Sequence, residues 1–250
     1  MTVDIYRSLS PERIIGTLEV LTKRICERFP KSGLAHVSED LTNIARQTSA
    51  RIDEIARPYI GLRIGLLALL ASAVLIIVWL VKSAKAWALS VSASTEISEV
   101  IQGIDAGVSV LLILGGAALF LASLESRWRR DQALKALHEF RSIVHVIDMH
   151  QLTKDPAAFG APRTSSSPDR SMSVPQLLRY LGYCSELLSL SGKVAALYAD
   201  KLRDPVIIDA VGDIERLTTD LSQKIWQKIE LFQQRMPIRP ASDALAPGLA

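Results

Sequence analysis

IGLLALLASAVLIIVWLV, residues 64–81, and AGVSVLLILGGAALFLASL, residues 106–124, contain no charged side chain. At a helical rise of about 1.5 Å per residue each stretch measures about 27–29 Å, the thickness of a hydrocarbon core. A buried core helix of that length normally carries a polar stripe, and these stretches offer only small Ser and Gly residues. In lipid an isolated spanning segment must satisfy its own N–H and C=O groups, which makes helix the expected conformation. The reading is an all-α chain: a two-pass transmembrane helical hairpin joined to a cytoplasmic antiparallel helical bundle.

Basic residues set the expected orientation. Arg46, Arg51, Arg57 and Arg63 precede the first stretch, and Arg127, Arg129, Arg130, Lys135 and Arg141 follow the second. Between them stand only Lys82 and Lys85, against Glu96, Glu99 and Asp105. An excess of Lys and Arg stays on the cytoplasmic side, so both termini are expected there and the short connection outside. The aromatics agree: Tyr59 and Trp128 fall at the inner interface as anchors, Trp79 and Trp87 at the outer one. Arg63 lies close enough to the boundary to snorkel. The turn is expected within Ser90–Ser94, with too few external residues for a further domain. Gly61 and Gly65 on the first span, and Gly115 and Gly116 on the second, are candidate helix-packing residues, because small side chains let backbones approach in lipid. Two uses stand open for them: packing of the spans on each other, or homo-oligomerisation.

The flanking sequence reads as helices with one apolar stripe each. Residues 1–57 carry two. Ser10-Pro11-Glu12 has the order of cap, first helical position and first-turn acid, and Ile14, Leu18, Leu21 and Ile25 follow at helical spacing. After Pro30 a second stripe holds Val37, Leu41, Ile44, Thr48, Ile52, Ile55 and Tyr59, and Pro58 is expected to kink it into the first span. The hairpin occupies 58–127, with spans about 60–81 and 106–124. Residues 128–152 lack Gly and Pro and extend the second span, with Leu137, Phe140, Val144 and Ile147 as their seam. Residues 153–173 are rich in Pro, Gly and Ser and read as a flexible linker. Within 174–235, Leu177, Leu181, Cys184, Leu188, Ser191, Ala195, Tyr198 and Leu202 form a heptad seam of coiled-coil type. Asp204-Pro205 then ends one helix and caps the next, which makes a helical hairpin. The tail 236–250 is expected to be disordered.

Composition narrows the chemistry. The chain has 250 residues, 49% of them hydrophobic, and a net charge of +3, too small to argue for a nucleic-acid partner. The N-terminal residues lack the order of a cleavable signal peptide, so the first apolar run is expected to be an uncleaved span. Cys26 and Cys184 are far apart, on the side expected to be reducing, and read as small hydrophobes. No Gly-rich phosphate loop, Gly-x-Ser-x-Gly elbow, His-Glu-x-x-His or Cys-x-x-Cys occurs, so no catalytic residue, metal site or cofactor is predicted. One polar constellation remains. His138, Arg141, His145 and Asp148 fall within about 80° of one another on the helix that extends the second span. His138 and His145 are about 10.5 Å apart along the axis, too far to share a metal. The stripe reads either as a polar seam that fixes helix packing or as a pH- or ligand-sensitive switch.

The strings RFPKSGL, HVIDMHQLTKDP and LTTDLSQKIWQKI resemble stretches of bacterial membrane proteins, which implies a bacterial inner (plasma) membrane. The expected partners are membrane lipid and either further copies of the chain or another protein. The expected role is a non-enzymatic scaffold that presents a helical bundle. The alternatives are a subunit of an oligomeric channel or transporter, for which the spans lack intramembrane charge, and a membrane-anchored enzyme or sensor built on the His138/His145/Asp148 stripe.

Overall fold

The structure is a computed structural model. It describes residues 9–90, 97–154, 165–166 and 172–235, and of residues 80, 83–90, 97–104, 106 and 235 it describes the backbone alone. The expected turn after Ser90, most of the 153–173 linker and the 236–250 tail lie outside the described residues. Those residues are all-helical, with no strand among them: α1 Pro11–Arg28, α2 Gly33–Ala56, α3 Ile60–Ser90, α4 Ile97–Leu152, α5 Val174–Leu202 and α6 Pro205–Arg235. They fall into two compact units, one drawn from Met1–Glu54 with Ala133–Ala250, the other Ile55–Gln132.

Local chemistry accounts for the helix ends of the first unit. Ser10 caps α1 by accepting from the Arg13 N–H, and Pro11 stands in its first turn, where no N–H is needed. Lys31 takes a left-handed φ of 61° in the turn before α2, whose Ala35 N–H is accepted by Ser32. At the start of α5 the Gln176 side-chain oxygen reaches back and accepts from the Ser173 N–H at 2.8 Å and from its hydroxyl at 3.0 Å, one half of a capping box. Arg203 closes α5 at φ 49°, and the Asp204 carboxylate accepts from the N–H groups of Val206 and Ile207 to open α6.

The helices of this unit pack like a bundle around α5. Leu181, Cys184, Leu188 and Ala195 of the expected seam have no solvent exposure. A second seam, Tyr180, Tyr183, Leu187, Leu190, Val194 and Leu197, is buried as well. A helix covered on both faces is a central helix, where a single stripe would have placed it on the outside. Its surroundings supply the partners. Phe29 meets Tyr180 and Tyr183 edge-on at 5.3 and 6.3 Å, and Phe140 of α4 meets Tyr198 at 6.3 Å. Against α6, Gly192 leaves room for Thr218, whose Oγ1 lies 3.0 Å from where a Cβ would stand. Ion pairs Arg51–Glu139 at 2.8 Å and Lys201–Asp53 at 3.2 Å tie α2 to α4 and α5 at the rim. These pairs are half exposed, so the stability rests on the apolar burial, at ~1.5–3 kcal/mol for each fully buried aliphatic or Phe side chain.

The second unit is built from α3 and the first part of α4. Both are long and apolar enough to cross a membrane. Their most apolar 18-residue windows have mean hydropathies of 2.5 and 2.3, and no residue in either window is buried. The kink expected at Pro58 is a complete break: α2 ends at Ala56 and α3 begins at Ile60. Proline lacks an N–H and biases the residue before it away from helix, so Arg57 leaves the helical path. Tyr59, read as the last member of the α2 stripe, thereby lies between helices.

Candidate functional site

Tyr59 and Arg63 are brought against Glu125, Trp128, Arg129 and Gln132 of α4. On α4 these four residues repeat at three- and four-residue spacing and share one face. The Tyr59 and Trp128 rings stack with centroids 4.7 Å apart and 29° between planes, and the Gln132 amide donates to the Tyr59 hydroxyl at 3.1 Å. Glu125 accepts a hydrogen bond from Arg129 one turn later, and its other oxygen lies 3.7 Å from Nε of Arg63. The Glu125 side chain is 18% exposed, Arg129 30% and Arg63 59%. Two guanidiniums thus share one carboxylate, and Nε of Arg129 is buried without an acceptor. The arrangement is a clasp: an aromatic stack, a neutral hydrogen bond and a charge-assisted cluster, each joining the start of α3 to α4.

From the sequence Tyr59 and Trp128 are expected as separate interface anchors, and neither Glu125 nor Gln132 is expected beside them. The available signal was an acid directly after an apolar run, four residues before Arg129, a spacing that supports an ion pair. Trp79 is exposed. The Trp87 side chain lies outside the described residues. Among the described residues a Cβ at Gly61, Gly65, Gly115 or Gly116 would meet no atom of another helix or side chain within 4 Å, so none of these glycines serves a close contact there.

The His138, Arg141, His145 and Asp148 stripe is not brought together. The first three are exposed, so they are not part of a buried seam. Asp148 is half-buried and accepts from the Gln151 amide at 2.6 Å, and no ion pair joins it to His145 among the described residues. The buried polar group at this end of α4 is Gln151, 2% exposed, whose carbonyl accepts from Lys228 of α6 at 2.8 Å. Beside it the His150 ring packs over the first residue of α2, and a Cβ on Gly33 would stand 2.2 Å from its Cε1. Burial, and then the Lys154 charge, hold the His150 imidazole below its ordinary pKa.

Nucleophile and metal chemistry find little support. Burial pushes the Cys184 thiol up to about 12, and burial with the Glu39 carboxylate raises Cys26 as well, so neither is an activated thiolate. No three His, Cys, Asp or Glu side chains are grouped to hold a metal among the described residues. A groove of about 750 Å³ opens between α1 and α5, lined by Arg13, Thr17, Val20, Arg24, Glu186 and Ser189 among others. It lies on other helices than the histidine stripe. No protein-family model, no curated protein and no solved structure matches the chain.

Proposed function

We propose that the chain is a two-pass protein of the bacterial inner membrane that anchors a cytoplasmic antiparallel helical bundle and acts as a non-enzymatic scaffold, self-associating or holding a protein partner. In this reading α3 and α4 form the transmembrane hairpin, with both termini in the cytoplasm. The observation that carries it is that no residue of the two most apolar windows is buried, because a soluble chain would bury such surface and a bilayer covers it. The Arg-rich flanks of both spans support the orientation. The clasp supports a scaffold that holds its two spans in one register. Among the described residues a Cβ at the glycines of either span would meet nothing within 4 Å, which favours their use between copies of the chain over their use within it.

Crosslinking of native membranes followed by mass spectrometry tests the reading. The expected result is crosslinks between copies of the chain or to one reproducible partner. A chain that stays monomeric and partnerless, both crosslinked and after detergent extraction, overturns it. Topology has its own test. With Cys26 and Cys184 replaced by Ser, a cysteine at Ser92 is expected to react with an impermeant thiol reagent from outside, and one at Ser242 only after lysis.

A further inference from the structure

We infer that the Arg63–Glu125–Arg129 cluster binds the phosphate of an anionic phospholipid headgroup. The inference rests on α3 and α4 being membrane spans. Two guanidiniums present ten N–H donors, and the carboxylate they share accepts at about four positions. Arg63 lies 3.7 Å from Glu125 through Nε, longer than a hydrogen bond, on a side chain 59% exposed. Nε of Arg129 is a buried donor without an acceptor beside the same carboxylate. The cluster therefore keeps one positive charge and spare planar donors, the form that suits a tetrahedral oxyanion.

The surroundings select a lipid over free phosphate. Ile60, Ile64 and Leu67 are 69%, 59% and 65% exposed. They follow one another at helical spacing and make an apolar stripe on α3 with Arg63 at its flank. A phospholipid satisfies both halves at once: its phosphate on the guanidiniums, its acyl chains along the stripe. The Tyr59–Trp128 stack lies at the same level of α3 and α4, and such amphipathic rings favour the headgroup region.

The test is native mass spectrometry of the full-length protein in detergent, with equimolar phosphatidylglycerol and phosphatidylcholine of identical acyl chains. The protein is expected to retain phosphatidylglycerol preferentially, and R63Q/R129Q to lose about tenfold of that retention. R57Q/R127Q removes the same charge from neighbouring residues outside the cluster and is expected to retain the lipid. The inference is overturned by equal retention of the two lipids, by equal loss in both double variants, or by displacement of the lipid with inorganic phosphate. Should R63Q/R129Q lose helicity, R63K/R129K decides: it keeps the charge but not the planar fork, and full retention by it overturns the inference. Resistance of the membrane-bound protein to carbonate extraction, measured on wild type and R63Q/R129Q, separates failure of this site from failure of the membrane reading.

Discussion

The Tyr198 hydroxyl is fully buried and makes no well-formed hydrogen bond, with Thr48, Arg51 and Glu139 as its polar neighbours. Burial raises its pKa, so it stays a neutral phenol. An unsatisfied buried hydroxyl costs about 1–3 kcal/mol, whereas the ring itself packs against Phe140. Tyr198→Phe is therefore expected to stabilise the protein by ~1 kcal/mol, seen as a higher midpoint of thermal unfolding in detergent, while Tyr198→Ala lowers it by ~3–5 kcal/mol. His150 makes a pH prediction of opposite character to an ion pair. Its folded-state pKa lies below the ordinary value, so the unfolded chain binds more protons as the medium acidifies. Its contribution is full above about pH 6.5 and is lost as the pH falls below that value. Unfolding midpoints measured between pH 8 and 5 (~the range of His titration) are expected to fall on acidification, and His150→Gln to flatten that fall. A midpoint that rises on acidification in the wild type would sink the argument.

At the scale of elements, α4 carries two kinds of apolar surface in succession. Leu111, Leu112, Ile113, Leu119 and Phe120 are exposed, whereas Leu137, Phe140, Val144 and Ile147 are buried in the other unit. No Gly or Pro interrupts Trp128–Leu152, so nothing local ends the helix between these regions. The α5–α6 connection is the reverse case, where a tight turn depends on one side chain. Asp204 caps α6 through two N–H groups, at 2.9 and 3.4 Å. Asp204→Ala is expected to cost about 1 kcal/mol in denaturant unfolding, and Asp204→Asn a few tenths. Equal stability of the alanine variant and wild type would mean that the cap is redundant with the packing of α5 on α6.

At the scale of the whole molecule, self-association is the property that the open glycines address. Gly115→Leu with Gly116→Leu adds bulk where, among the described residues, a Cβ would meet nothing within 4 Å, so the fold is expected to survive and crosslinks between copies to decline. Unchanged crosslinking would move the contact elsewhere. The helices, their caps and most of their apolar faces were legible in the sequence, because burial of one face leaves a periodic mark on a segment and a helix apolar all round shows as an unbroken run. The second seam of α5, from Tyr180 to Leu197, carries such a mark as well. The clasp was only half legible: Tyr59 and Trp128 stood out as aromatics at a boundary, but nothing local says that they stack. The histidine stripe was legible as a pattern, but its exposure was not: His138, Arg141 and His145 face solvent, because angular proximity on one helix does not say which side the neighbouring helices cover. The sequence by itself determined the helical class, the two apolar stretches and the capped ends, all effects of residues within a few turns of one another. Only the tertiary structure decided that Tyr59 bonds Gln132 and that Gln151 bonds Lys228, pairs 73 and 77 residues apart. Which polar group meets which across such separations depends on the packing of whole helices, and that leaves no period in the chain.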